Sequence, residues 1–310
     1  MIDFYKTIDG QISKIDGLEK NCWINVVNPS RDELLNLIKI TGVDADFINA
    51  ALDIEEISRI ENEDELHEKL ILFDIPMVEK ENGNTIYSTL PLSFISTDEF
   101  VMTVCLRKSG IIDDFALGRI KNVNTALKTR FLLQILYRSA TSFLQYLKQI
   151  DRMASSIEQE LHVSMRNKEL IQLLGMEKSL VYFSTSLKAD MATIKKVSRG
   201  KYLKLYEDDE DLMDDVIVEI EQAIEMSEIY SNILSGTMDA FASIISNNLN
   251  IVMKFLAAIT IVMAVPTIIT SFYGMNVKDL PFASSWIVPA FIAIGTSLVT
   301  TFWLKKKDMF

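Results

Sequence analysis

Two long uncharged stretches dominate the hydrophobic pattern at the C-terminal end of the chain. Residues 255–277 and 280–304 contain no Asp, Glu, Lys or Arg. About 20 apolar residues in a helix cross a hydrocarbon core of about 30 Å, so each stretch is long enough to span a bilayer. A pair of buried core helices is the alternative, but core helices are usually shorter and carry a polar stripe. The pattern therefore favours two membrane spans.

The charges that flank these stretches predict their orientation. Lys254 precedes the first stretch, and Lys305, Lys306 and Lys307 follow the second. Because cytoplasmic flanks are enriched in Lys and Arg, we expect both outer ends in the cytoplasm and the connecting loop 277–284 outside. Trp286 and Trp303 stand near the two ends of the second stretch, as interfacial aromatic residues do. The N-terminus has no basic or apolar signal region, so we expect the preceding 245 or so residues to be cytoplasmic and the protein to lie in the cell membrane.

A helical pattern leads into the first span without interruption. Seven of the nine residues 207–215 are acidic, and no proline follows until Pro266. One helix from about Leu212 to Phe272 would be roughly 90 Å long. We expect such a helix to need a bundle, or copies of itself, along its apolar stripe. The stripe repeats every three or four residues: Val216, Ile220, Ala223, Ser227, Tyr230, Leu234, Met238, Phe241 and Ile245.

The N-terminal part of the chain reads as mixed α/β. Ser30 and Glu33 form a capping box that predicts a helix start, and Gly42 predicts its end. The acidic segment 52–64 is expected to begin as a helix. From about Thr125 to Lys201 the pattern predicts two long antiparallel helices turning near 165–167. Alternation and turn residues, including a turn at 82–84, predict four strands: Trp23–Val27, Leu70–Val78, Ile86–Ile95 and Phe100–Leu106.

Charge and composition exclude several classes of function. The chain carries −12 overall, but residues 250–310 hold five lysines and two aspartates, so the first 249 residues carry −15. An acidic body argues against nucleic-acid binding and is compatible with binding cations. Cys22 and Cys105 are interpreted as buried thiols rather than a disulfide or ligand pair, and His67 and His162 lack metal-ligand spacing. No nucleophile–base pair or P-loop appears, so we expect neither an enzyme nor ATP-driven transport.

Polar residues on the first span indicate a pore. Polar groups in a bilayer should face a bundle interior or water, and two spans per chain enclose no pore, so a cyclic homo-oligomer is expected. Asn276, expected to end the helix, would form a ring of side-chain oxygens suited to Mg²⁺, which keeps its water. Gly274 would allow a tight turn there; the alternative is that Gly-Met-Asn is an ordinary helix terminator, and the residues alone allow both. The expected pore face comprises Asn250, Met253, Leu256 (or Ala257), Thr260, Ala264 and Thr267.

The arrangement resembles a known family. Tyr273-Gly274-Met275-Asn276 between two C-terminal spans, after a long acidic helix and a mixed N-terminal domain, resembles the CorA family of divalent cation transporters. Residues 234–256 also look like the family's segment between stalk and pore. The resemblance implies a homopentameric funnel for passive Mg²⁺ uptake, often with Co²⁺ and Ni²⁺, without an organic cofactor. It also implies closure when cytoplasmic Mg²⁺ binds between subunits. One departure is Lys278 before Asp279, where many relatives carry an acid.

The resemblance assigns roles residue by residue. Gly274, Met275 and Asn276 match the selectivity motif. Asn250, Met253 and Leu256 match the inner pore, where Met253 and Leu256 would form an apolar constriction that closes by dewetting. Asp215 matches a stalk acid at a sensing site, and Asp211 and Asp214 are added as regulatory ligands.

The predicted fold class is an α+β membrane protein, with a mixed α/β cytoplasmic domain and a stalk helix that continues into the first span. A proton-coupled Zn²⁺ transporter of the same fold, or a membrane-anchored scaffold, are the alternative functions. The expected segments are residues 1–120 (α/β domain), 121–205 (helical hairpin), 206–250 (stalk), 251–276 (first span), 277–284 (external loop), 285–304 (second span) and 305–310 (basic tail).

Overall fold

The fold is described from a computed structural model that covers residues 1–63, 67–81, 84–164, 167–200, 202–276, 281 and 285–309. It contains two compact units, Met1–Gly236 and Thr237–Phe310. The boundary between them falls inside the segment 206–250 that the sequence assigns to one stalk helix. The seven-segment division remains a prediction.

A seven-stranded sheet forms the centre of the N-terminal unit, in the order β2-β1-β3-β7-β6-β5-β4. Neighbouring strands are antiparallel except β3 and β7, which run parallel with Trp23 opposite Val101. All four predicted strands are confirmed, as β3, β5, β6 and β7. The strands are β1 (Ile2–Ile8), β2 (Gln11–Ile15), β3 (Trp23–Val27), β4 (Arg59–Glu63), β5 (Glu68–Glu81), β6 (Asn84–Ser96) and β7 (Val101–Cys105).

The prediction that segment 52–64 begins as a helix is wrong. Residues 52–58 form turns and irregular chain, and β4 follows at Arg59. β4 pairs antiparallel with β5, placing Ile60 opposite Ile71. The Arg59 guanidinium donates to both Glu56 and Glu61, so one positive charge offsets part of the negative charge of the acidic run at the sheet edge. Strand pairing and local ion pairs therefore outweigh the weak helix propensity of this segment.

Three short helices cover the sheet, and the first has the predicted caps. Glu33 N–H donates to Ser30 Oγ at 3.3 Å, and Ser30 N–H donates to Glu33 Oε2 at 2.8 Å, which confirms the capping box. Gly42 ends the helix with φ of 74°, a left-handed conformation that favours glycine. The helices are α1 (Arg31–Thr41), α2 (Ala45–Ala50) and α3 (Gly110–Ala116).

The two long helices predicted after residue 125 are confirmed as α4 (Lys128–Ser164) and α5 (Asn167–Val197); residues 165 and 166 of the predicted turn lie outside the described part. Phe143 of α4 and Phe183 of α5 meet edge to face, with ring centroids 5.0 Å apart. Phe131 of α4 packs edge to face on Trp23, Phe94 and Phe115. These aromatic contacts join the helix pair and the sheet in one core.

The long helix is confirmed as α6 (Glu207–Tyr273), with Pro266 inside it. Within the N-terminal unit, its predicted stripe is buried at Val216, Ile220, Ala223, Ser227 and Leu234. Beside this stripe, Lys188 and Lys195 of α5 pair with Glu228 and Glu221 of α6. The chain's own helices therefore provide the bundle that this part of the stripe needs, and no second copy is required to bury it.

The C-terminal unit holds the rest of α6 and a second helix, α7 (Ile287–Lys306). Both are long and apolar enough to cross a membrane. Little of either apolar stretch is buried in the structure, whereas an equally apolar core helix of a soluble protein is mostly buried. This difference favours membrane spans. A cavity of about 220 Å³ is lined by Pro266 of α6 and by residues of α7, so the two helices lie side by side. The residues of α7 at this cavity are Ala293, Ile294, Ser297, Leu298 and Thr301.

Candidate functional site

One face of α6 in the C-terminal unit is covered and the opposite face is exposed. Ala258 is fully buried, and the half-buried residues share its face: Val262, Val265, Pro266, Ile269 and Tyr273. At about 100° per residue, the centre of this covered face lies roughly 180° from the centre of the predicted pore face. All six predicted pore-face residues are exposed: Asn250, Met253, Leu256, Thr260, Ala264 and Thr267.

The hydroxyl groups on the exposed face are oriented by the helix itself. Thr260 Oγ1 donates to the Leu256 carbonyl at 2.8 Å, and Thr267 Oγ1 donates to the Met263 carbonyl at 3.0 Å. A hydroxyl that donates to the backbone keeps its two lone pairs as acceptors. These threonines can therefore accept hydrogen bonds from water molecules around a cation.

Met253 and Leu256 lie on the same face and are each 56% exposed in the single chain. Neither side chain carries a polar group, so the inner end of the face, beyond Asn250, is apolar. A ring of such residues can exclude water when it narrows. The structure thus separates an apolar segment near Lys254 from hydroxyl-bearing positions further along the helix.

The helix ends at Tyr273, three residues before Asn276, so the expectation that Asn276 ends it is wrong by about one turn. Gly274 N–H donates to the Thr270 carbonyl at 2.9 Å. A Cβ on Gly274 would lie 3.2 Å from that carbonyl oxygen, which is close enough to force the last turn to shift. The position of Gly274 therefore leaves little room for a side chain. Its φ is not positive, so the close approach, and not a left-handed backbone conformation, favours glycine here. Met275 and Asn276 follow, exposed, and residues 277–280 lie outside the described part.

The acidic run forms the first two turns of α6. Asp211, Asp214 and Asp215 are all exposed. Asp209 is buried, and its carboxylate forms an ion pair with Arg130 of α4 at 3.3 Å. The sequence pattern did not indicate this contact. In the described part of one chain, no three His, Cys, Asp or Glu side chains are grouped as metal ligands. The three predicted regulatory acids alone therefore make no complete metal site within one chain.

Comparison with known proteins identifies the family of this chain. The family model for CorA-like Mg²⁺ transporter proteins matches residues 19–306. The chain belongs to this CorA-like Mg²⁺ transporter family. The match extends from β3 through α7, so it includes five of the seven strands of the sheet and the two apolar helices.

Individual relatives agree with the family. The curated cobalt/magnesium transport protein CorA of Methanocaldococcus jannaschii is 27% identical over 286 residues, which are 88% of this chain and 86% of that protein. The complete CorA structure from the same organism matches with a TM-score of 0.80 and 24% identity over 99% of this chain and 96% of that one. The ZntB cytoplasmic domain of Vibrio parahaemolyticus gives 0.59 and 12% identity over 80% and 97% of the two chains. The fold is that of CorA, and this chain is a membrane protein.

Sequence reasoning missed the packing face of α6 in the C-terminal unit. That face carries Ala258 and Pro266. The predicted pore face also carries a small residue, Ala264, so residue size alone gives no signal that distinguishes the two faces.

Proposed function

We propose that five copies of this chain assemble around an axis and form a Mg²⁺ channel lined by the exposed face of α6. One observation carries the proposal: α7 lies against one side of α6, and the opposite side presents Asn250, Met253, Leu256, Thr260 and Thr267 in a line. Asn250 and two hydroxyl groups would be unfavourable on a surface that faces lipid, whereas they can form hydrogen bonds with water in a pore along the axis. The family membership supports Mg²⁺ and Co²⁺ as cargo, and a wider range with Ni²⁺ belongs to the same proposal.

Transport through this pore is passive. A divalent cation that moves to the negative side of a membrane gains about 4.6 kcal/mol per 100 mV, twice the value for a unit charge. This energy is enough to drive uptake without ATP. In the proposed orientation the acidic N-terminal unit and both termini are cytoplasmic, and the Gly-Met-Asn segment faces outward.

The Asn276 ring selects the ion at the outer mouth. Mg²⁺ dehydrates reluctantly and keeps several waters. Five amide oxygens at a ring can accept hydrogen bonds from that water shell without replacing it. Gly274 and Met275 set the position of the ring, because the backbone at Gly274 packs against the Thr270 carbonyl.

Cytoplasmic Mg²⁺ closes the pore through the acids of α6. Asp211, Asp214 and Asp215 are exposed, and like charges brought together between subunits repel one another. Bound Mg²⁺ relieves this repulsion and holds the helices in a symmetric arrangement with the Met253 and Leu256 rings narrowed. When Mg²⁺ is lost, the helices separate and the apolar constriction becomes wet.

The test is Mg²⁺ entry into proteoliposomes under an inside-negative voltage, comparing the natural chain with Asn276→Ala. We expect voltage-driven entry in the former, and lost or unselective entry in the latter. Thr296→Ala, which removes an exposed hydroxyl of α7 rather than one on the proposed pore face, is the control and should leave selectivity unchanged. Absence of entry with an active control channel would refute the channel and favour the scaffold.

A proton-coupled Zn²⁺ transporter is the second candidate, because the fold also matches the ZntB cytoplasmic domain at a lower TM-score. The same vesicles distinguish the two. Zn²⁺ entry that requires a pH gradient and ignores voltage would favour the second candidate.

A further inference from the structure

A cavity of about 540 Å³ in the N-terminal unit has no role in the proposed transport. It lies where the start of β5, the turn between β6 and β7, the first turn of α4 and the beginning of α6 meet. Its volume is within the range of small-molecule sites, roughly 300–1,000 Å³. The lining residues that matter here are Lys69, Asp98, Lys128, Arg130, Lys204, Tyr206, Asp208 and Asp209.

Four Lys or Arg and three Asp side chains line this cavity, in a chain whose net charge is −12. No ion pair between described residues uses Lys69, Lys128 or Lys204. Two of the lining carboxylates, Asp98 and Asp208, belong to exposed residues. The third belongs to Asp209, which is paired with Arg130. Among the described residues, the ammonium groups of Lys69, Lys128 and Lys204 therefore have no carboxylate at ion-pair distance.

Lys128 is the most constrained of the three. Its ammonium donates to the main-chain carbonyls of Thr97 at 2.5 Å and Asp98 at 2.7 Å, which leaves one of its three N–H groups for another acceptor. Burial lowers the pKa of Lys128; the charges of Asp98 and Glu99 oppose this effect, and those of Lys20 and Lys69 add to it. An anion in the cavity would act in the same direction as Asp98.

The position of Lys128 on its helix also favours a bound anion. It is the first residue of α4, a helix of 37 residues with no acidic residue in its first turn. A helix N-terminus carries a partial positive charge, so Lys128 and Arg130 stand at the unfavourable end for a cation. Natural helices usually place Asp or Glu there, and a bound anion would take their place.

We propose that this cavity binds a phosphate-bearing anion of nucleotide size, held by Lys69, Lys128 and Lys204. Phosphate oxygens accept hydrogen bonds from several ammonium groups at once, which suits this arrangement. Tyr206 is 53% exposed at the cavity. Lys204 Nζ lies over its ring, 5.0 Å from the centroid, so a base that stacks there would share the ring with that ammonium group. The anion would also compete with Asp209 for Arg130, and Asp209 is in the first turn of α6. This inference is independent of the proposed transport.

The experiment is calorimetric titration of the full chain in detergent, in Mg²⁺-free buffer with EDTA, with three probes: inorganic triphosphate, ATP and adenosine. We expect triphosphate and ATP to bind and adenosine not to bind. Equal affinities for the first two would assign the site to the phosphates alone, and tighter ATP binding would add a base contact. Absence of triphosphate binding at concentrations up to about 5 mM overturns the proposal.

Variants locate the binding. Lys69→Gln with Lys204→Gln removes two cations that hold no ion pair between described residues, and we expect about a tenfold loss of triphosphate affinity. Lys39→Gln with Lys121→Gln makes the same charge change away from the cavity and should bind normally. Asp209→Asn frees Arg130 and should tighten binding several-fold. Equal affinity of the cavity variant and the control would overturn the assignment, because binding would then come from net charge alone.

Discussion

Asp190 Oδ1 accepts a hydrogen bond of 2.9 Å from the backbone N–H of Asp74, which ties α5 to the middle of β5. The same oxygen accepts from the Ser58 hydroxyl at 2.6 Å. Asp190 is 3% exposed. Burial raises the pKa of Asp190 well above its ordinary value, with the charge of Asp74 acting in the same direction. Burial also raises the pKa of Asp74. Two carboxyl groups thus share one buried interface and favour the protonated state.

This pair makes the N-terminal unit less stable as pH rises. A carboxyl whose folded pKa exceeds its unfolded pKa binds more protons in the folded state, so stability falls above about pH 4 until the folded pKa is passed. Asp190→Asn keeps an oxygen for Ser58 and the Asp74 N–H but cannot ionise. We expect its melting temperature to exceed that of the natural chain by a margin that grows with pH. Thermal unfolding from pH 4.5 to 8.5 measures it, and a constant margin would contradict the assignment.

The capping box of α1 gives a second prediction. Ser30→Ala leaves the Glu33 N–H without its acceptor, and loss of an N-cap costs about 1 kcal/mol. Amide hydrogen exchange in the first turn of α1 should accelerate about fivefold. Glu33→Ala should have a smaller effect when Ser30 is already Ala, since the two groups act together. Full additivity of the two substitutions would mean that the box contributes nothing as a pair.

The success of sequence reasoning followed the strength of local signals. Trp23–Val27 is apolar apart from Asn25, and α1 has both of its caps, so both were predicted with their limits. β1, β2 and β4 were missed because their polar residues pair with one another near the two ends of the sheet, as Lys14 and Asp3 do at 2.6 Å. That partnership exists only after pairing, so the chain alone does not reveal it.

In the candidate site, spacing alone grouped the residues of the exposed face of α6, since side chains three or four residues apart share a helix face. That this face lines a pore stays a prediction. The ion pair of Asp209 with Arg130 joins residues that lie 79 positions apart. From composition, Asp209 could not be distinguished from a solvated acid, because it belongs to the same acidic run as the exposed acids around it. Long-range contacts of this kind require the fold.

The apolar constriction predicts a gate mutation. Met253→Ser places a polar group on the pore face of α6, which should keep the constriction wet and raise Mg²⁺ flux at high internal Mg²⁺. Ile251→Ser is the matched control, since Ile251 is equally exposed but lies about 160° away around the helix. Flux in proteoliposomes loaded with Mg²⁺ distinguishes the two. Equal flux from both variants would mean that Met253 does not line the pore.

The acids at the start of α6 predict how closure is lost. Asp215→Ala removes an exposed carboxylate that would hold Mg²⁺ between subunits, so higher internal Mg²⁺ should be needed to inhibit flux. The inhibition midpoint should rise several-fold, as one ligand of a hard-cation site is worth a few-fold to tenfold in affinity. Glu228→Gln on the same helix also removes one negative charge, but Glu228 pairs with Lys188 of the same chain at 2.6 Å.

The comparison separates a metal ligand from a charge effect. If repulsion along α6 were all that mattered, both substitutions would shift the midpoint in the same direction by similar amounts. If Asp215 binds the ion, Asp215→Ala moves the midpoint and Glu228→Gln does not. Asp211→Ala and Asp214→Ala then move it by no more than Asp215→Ala does, according to the distance of each carboxylate from the ion. An unchanged midpoint in Asp215→Ala would remove Asp215 from the sensing site and leave the neighbouring acids as the ligands to test.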